Sequence, residues 1–198
     1  VIANNTGPGK PVPASQSADP KIVINEIQYQ PGPSGSEFVE LVNPSSTESV
    51  DISGWTIEGV ELTIQPGTVL LPGAHVVFVA DDVAFRQAYP GADRLVGGEY
   101  SGTLEDTGET LRLLNGTRVV DEVTYSSSAP WPTDAAGSGP SLELIAPNAD
   151  NALPTNWATL STSGGTPGLV NTAPTVPDTA APSVPVGLSV SGVSASAA

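Results

Sequence analysis

The sequence predicts an all-β fold, an antiparallel β-sandwich with long ordered loops toward its C-terminal end. Three observations carry that expectation. Gly (21) and Pro (20) together make up about a fifth of the 198 residues, so turns recur at short spacing and little room is left for helices. Short segments rich in Val, Ile, Leu and aromatic residues lie between those turns, as strands do. Asn115-Gly116 separates two of them, and this dipeptide is the strongest short-range hairpin signal.

The elements follow in order. Residues 1–20 are rich in Pro, Gly, Ser and Asn without apolar periodicity and read as a linker or tail. Val1 stands where an initiator Met would be, so the chain reads as a processed form or fragment. The folded unit is expected over 21–172. Strands are expected at 22–29, 37–43, 55–62, 74–80, 110–114, 117–125 and 141–145. Gly54 offers a turn into the strand that Trp55 opens, and Trp55 anchors it through a large buried area. Pro72-Gly73 forms a type II turn before 74–80. One helical turn fits at 81–88, with Asp81 or Asp82 as N-cap and Pro90 beyond its end. A type I′ turn at Asn115-Gly116 sets Leu113 opposite Arg118, Leu111 opposite Val120 and Glu109 opposite Glu122. The last is a like-charge pair, so either pairing ends before it or a cation sits nearby. Beyond residue 125 the chain reads as one more strand and long loops anchored by Trp131 and Trp157. Residues 173–187 read as a second, proline-rich linker. Residues 188–198 open with strand-like alternation, and TAAPSVPVGLSVS resembles the start of a fibronectin type III module.

Composition excludes several functions. Cysteine is absent, so disulfides, thiolate zinc sites, iron–sulfur ligation and a Cys nucleophile are excluded. A single histidine cannot supply a two-His metal site. The net charge is −15, and 19 of the 21 acids but only five of the six bases fall within 21–172. Such a surface repels phosphate backbones, so no nucleic-acid partner is expected. No apolar run is long enough for a membrane span, and no charged-then-apolar stretch of the signal-peptide type occurs in the sequence. Acidity without cysteine suits an extracellular, secreted bacterial surface protein.

Glu26, Glu37 and Glu40 are the carboxylates that most invite a functional reading. Alternation puts Glu40 on the face of Phe38 and Val42, and Glu26 on the face of Ile22 and Ile24. A carboxylate among apolar neighbours needs backbone donors, an arginine or a metal. The three are therefore weak candidates for a calcium site or for the acid/base pair of a hydrolase. The alternative is a structural carboxylate satisfied by loop amides, which is favoured. No EF-hand loop is present, no other cofactor is expected, and no catalytic residue is assigned. His75 opens a strand and reads as solvent-facing, and no Gly-x-Ser-x-Gly elbow accompanies it. Asp81-Asp82 and Glu105-Asp106 read as a helix cap and a solvated turn, with calcium binding as the minor alternative for each. Asn4-Asn5-Thr6 and Asn115-Gly116-Thr117 match the N-glycosylation pattern. Trp131 and Tyr125 are candidates for an aromatic platform that binds sugar rings, with packing under the C-terminal loops as the favoured alternative.

Taken together, INEIQY (24–29), EFVELVN (37–43), DISGW (51–55), PGTVLLPGAHVVFVA (66–80), LEDTGETLRLLNGTRVVDEVTY (104–125), WP (131–132), SLEL (141–144), NW (156–157) and GGTPG with Asn171 resemble the bacterial form of the lamin tail domain. The resemblance runs through almost all of 21–172. It implies an immunoglobulin-like β-sandwich that serves as a structural or binding module of exported multidomain proteins, without chemistry of its own. Its partners would be neighbouring domains of the same polypeptide, a polysaccharide or a cell-surface protein. The coiled-coil rod of a lamin has no counterpart here, so filament assembly is not implied. Two competing functions remain from the residues: a carbohydrate-binding module that targets an attached enzyme, and a carboxylate-based hydrolase.

Overall fold

The computed structural model describes residues 2–4, 16–33, 35–137, 139–159 and 164–171. In chain order these form β1 (Ile2–Asn4), β2 (Val23–Gln28), β3 (Phe38–Val42), β4 (Val50–Asp51), β5 (Thr56–Glu58), β6 (Leu62–Thr63), β7 (Thr68–Leu70), β8 (His75–Val79), α1 (Asp82–Ala88), β9 (Val96–Glu99), β10 (Thr110–Asn115), β11 (Arg118–Thr124), β12 (Leu142–Leu144) and β13 (Trp157–Ala158). The fold is the expected all-β, immunoglobulin-like sandwich. A six-stranded sheet runs β13-β12-β2-β3-β8-β9, a four-stranded sheet β11-β10-β5-β6, and a three-stranded sheet β1-β7-β4.

The core lies between the larger sheets. Ile24, Ile27, Val39, Leu41, Val76 and Phe78 of one meet Ile57, Leu62, Leu111, Leu113 and Val123 of the other. Each such side chain contributes about 1.5–3 kcal/mol by leaving water. The six-stranded sheet is also covered on its outer face. There Phe38, Val77 and Val79 pack against Phe85 of α1 and Ala92 just beyond it, with Phe38 and Phe85 edge to face at 5.6 Å. Covered on both faces, β2 and β3 are buried at every position.

The segment expected as one strand at 55–62 is β5 and β6, joined by a tight turn in which Glu61 has φ 54°. One pairing departs from antiparallel: β9 lies parallel to β8. Parallel neighbours need a crossover, and α1 supplies it. The side chain of Asp81, not Asp82, caps that helix, accepting from Ala84 N–H at 2.8 Å. At Pro72-Gly73 the expected turn closes with Ala74 N–H donating to Leu71 O at 2.9 Å.

Two registers differ from simple expectation. In the β10–β11 hairpin Asn115 pairs with Arg118, so the two central residues are Gly116 and Thr117. Gly116, at φ 61°, takes the first central position, the one a type II′ turn reserves for glycine. A bulge then sets Leu113 opposite Asp121 and Arg112 opposite Glu122. The anticipated Glu109–Glu122 pair is thereby avoided, and a cation faces Glu122 in its place. Between β2 and β3 the register shifts so that Ile24 pairs with Leu41 but Glu26 pairs with Glu40. Asn25 is the extra residue of this bulge. Glu26 is therefore turned away from the core face of Ile24 and onto the outer face.

Within the stretch read as an N-terminal linker, Ile2–Asn4 pairs with Thr68–Leu70 as an antiparallel strand. The expected second linker and the fibronectin-like start lie outside the described residues.

Candidate functional site

The bulge at Asn25 has a chemical consequence. Glu143 of β12 pairs with Glu26 of β2, and Glu26 pairs with Glu40 of β3. Three carboxyls thus stand side by side across adjacent strands on the outer face, and all three residues are fully buried. Burying them costs free energy unless donors reach them. The donors come from the far end of the chain, where Gly164–Asn171 crosses the sheet as a strap.

Thr166 N–H donates to Glu26 Oε1 at 2.9 Å, and Ser141 Oγ–H donates to the same oxygen at 2.7 Å. Thr166 Oγ1–H donates to Glu143 Oε2 at 2.9 Å. Gly168 N–H donates to Glu40 Oε2. Glu40 Oε1 accepts from Asn25 Nδ2 at 2.8 Å and lies 2.7 Å from His75 Nδ1. Asn171 closes the strap, its Nδ2 donating to Asn25 O at 3.0 Å and Leu144 O at 2.9 Å. The arrangement is a clasp that staples the C-terminal segment to β2, β3 and β12.

The clasp explains the glycines of GGTPG. Gly165 has φ 85°, and a Cβ there would lie 2.0 Å from Glu26 Oε1 and 2.3 Å from Ser141 Oγ. Only glycine lets the backbone approach the carboxyl this closely. Tyr89, at the end of α1, holds the strap's start by donating its hydroxyl to Gly164 O. Burial pushes that phenol up to about 12, so the donor proton stays in place at neutral pH.

Burial, then the adjacent Glu40 and Glu143, holds the pKa of Glu26 well above the ordinary glutamate value. The hydrogen bonds from Ser141 and Thr166 pull it down only in part. Its second oxygen, Oε2, is buried without a hydrogen-bond partner. Chemically the cluster binds backbone. The strap closes over it and leaves no open cleft between two carboxyls, which glycoside hydrolysis requires.

The other candidate residues lie elsewhere. Glu37 does not join Glu26 and Glu40; its Oε2 accepts from Leu104 N–H at 3.0 Å. Burial raises its pKa, with Asp106 and Glu109 adding to the effect. His75 was read as solvent-facing but its side chain is only 11% exposed, because alternation along β8 aims it at Glu40. Trp131 is buried with its ring 5.7 Å from Trp157. Tyr125 is buried 5.0 Å from Tyr29, and its hydroxyl donates to Glu105 O at 2.9 Å. The structure thus places both rings in the interior. Asn115-Gly116-Thr117 is exposed at the hairpin tip, whereas Asn5 and Thr6 lie outside the described residues. Sequence reasoning missed Glu143, Ser141, Thr166 and Asn25 as members of the cluster. The one available signal was Glu143 between two leucines in SLEL, the same pattern that drew attention to Glu40.

Among the described residues, no group of three or more His, Asp or Glu side chains is placed to hold a metal ion. No helix is long and apolar enough to cross a membrane. In comparison with known proteins, residues 15–127 match the family described as Lamin Tail Domain. That span covers β2 to β11 and stops short of β12, β13 and the strap. No curated protein and no solved structure matches the chain.

Proposed function

The chain belongs to the lamin tail domain family, and from that premise we propose that it is a non-catalytic structural or binding module of a secreted or surface-attached multidomain protein. The observation that carries this reading is the clasp. The carboxyls best suited to acid/base work are sealed from solvent and committed to holding the strap. The folded unit is taken as 21–172. The proline-rich segment 173–187 serves as a linker, which sets the reach and effective concentration of a neighbouring module, whereas the N-terminal stretch adds Ile2–Asn4 to the three-stranded sheet. The partners proposed are those neighbouring modules and a cell-surface protein or polysaccharide. A polysaccharide would have to use contacts other than Trp131 and Tyr125, whose rings are buried. The net charge of −15 is the reason no nucleic acid is proposed. Calcium is not part of the reading, since Glu26 and Glu40 already accept from backbone and side-chain donors.

The test is fractionation of the native cells with an antibody raised against the module. The expected result is a band larger than this chain in the extracellular or cell-envelope fraction. A cytoplasmic band of the module alone overturns the reading.

A further inference from the structure

Beside the clasp, the outer face carries a groove of about 280 Å³, lined by Tyr89, Gly91, Ala92, Leu95, Pro167 and Leu169 among others. Its Tyr89 wall is backed by aromatic rings, with Phe85 4.8 Å and Phe38 5.7 Å from Tyr89. Its rim is unusually apolar for an exposed surface: Leu169, which lines it, is 65% exposed, and Val170, next in the chain, is 70% exposed. A shallow apolar groove with an aromatic wall suits a polyproline II segment, whose fixed φ angles reduce the entropy lost on docking.

The chain carries two segments of that chemistry just beyond the strap, Pro174-Thr175-Val176-Pro177 and Pro182-Ser183-Val184-Pro185. Both have the spacing Pro-x-Val-Pro. Asn171, pinned by its bonds to Asn25 and Leu144, fixes where the chain leaves the domain. The first segment begins too soon after Asn171 to turn back on a groove whose wall includes Leu169. The second follows ten intervening residues, 172–181, a length that spans up to about 33 Å and allows a return. Residues 172–198 contain one charged side chain, Asp178, so the acidic domain repels them little.

We propose that this groove docks the Pro182–Pro185 segment of the same chain. Docking folds the linker back on the module and shortens its reach; release extends it. The inference rests on the groove and the linker sequence and stands whether or not the protein is exported. A short flexible tether gives an effective concentration of the order of millimolar, so a Kd of about 1 mM suffices to keep the groove about half occupied.

The test compares amide spectra of the full chain with those of the full-length double variant P182A/P185A. Amide resonances of Gly91, Leu95, Gly168 and Leu169 are expected to shift, while those of Gly54 and Gly116, remote from the groove, stay in place. A peptide of residues 180–187 added to the double variant is expected to reverse the shifts with a Kd at or below about 1 mM. The same peptide is expected to bind the parent chain at least about two-fold more weakly, because the tethered copy competes. Gly91 has open space around its would-be Cβ, so Gly91→Trp in the double variant fills the groove and is expected to abolish peptide binding. Leu169→Asp, at an exposed position, does the same should Gly91→Trp disturb the Gly54 and Gly116 signals. Unchanged groove resonances in P182A/P185A overturn the proposal. So does peptide binding that survives both groove variants, and so do shifts that depend on protein concentration, which place the segment on a second copy.

Discussion

Glu26 shows how one residue's setting turns a suspected reactive group into a structural one. It lies between Glu40 and Glu143 under the strap, and burial ahead of those charges raises its pKa well above the ordinary glutamate value of about 4.5. An acid with a raised folded-state pKa binds its proton more tightly when folded. Its contribution to stability is therefore complete below about pH 4.5 and is lost as pH rises from there toward the raised value. Glu26→Gln keeps the shape and removes the titration. Denaturant melts of both proteins from pH 4 to pH 9 are expected to show the variant gaining relative to the parent as pH rises. Parallel profiles would mean that Glu26 is ionised in the folded protein. Gly165 gives the complementary prediction. Its φ of 85° disfavours any Cβ, and the carboxyl that a Cβ would strike is held by Ser141 and Thr166 and has little freedom to move. Gly165→Ala is expected to cost about 2–4 kcal/mol in the same melts. At this scale the sequence flagged Glu26 and Glu40 through their apolar neighbours but misassigned the face of Glu26. Strict alternation carries no information about a bulge, and Asn25 looks like any other strand residue.

At the scale of elements, legibility followed length, except that the three-residue β12 falls within the strand expected at 141–145. The long apolar runs that became β2, β3, β8, β10 and β11 were visible because five to seven residues suffice to show a pattern. β4, β6, β7 and β13 have two or three residues each, too few for any periodicity. β9 reads Val-Gly-Gly-Glu, which resembles a turn, and it is a strand because the α1 crossover delivers it to the free edge of β8. Gly97 also leaves room there for the core, since a Cβ would lie 2.6 Å from Val76 Cγ2. The crossover depends on a seven-residue helix too short to be stable alone. Its cap therefore matters. Asp81→Ala removes the acceptor for Ala84 N–H and is expected to cost about 1 kcal/mol. Asp82 forms an exposed pair with Arg86, so Asp82→Ala is expected to cost less than half of that. Equal losses for the two variants, read as shifts in the denaturation midpoint, would place the cap elsewhere.

For the molecule as a whole, the decisive relation joins its two ends. The family span ends at residue 127, yet β2, near its start, is completed by β12 on one side and by the strap above. The sequence held both partners, INEI and GGTPG with Asn171, but neither shows that it binds the other. That contact is carried by donor–acceptor geometry across about 140 residues of chain, as Thr166 N–H to Glu26 shows. A chain ending at 127 would lose Leu142, Leu144 and Trp157 from the core, each worth about 1.5–3 kcal/mol. It would also leave Glu26 and Glu40 without their strap donors, a further cost of about 1–3 kcal/mol for each group still out of water. Those losses rival the 5–15 kcal/mol that a whole domain has to spare. A chain ending at 171 keeps every one of these contacts. It is expected to melt in one cooperative transition, with dispersed amide resonances, while the chain ending at 127 is expected to bind a hydrophobic dye and to show no sharp transition. A cooperative melt of the shorter chain at a comparable midpoint would show that the clasp is an accessory and that the sandwich closes without it.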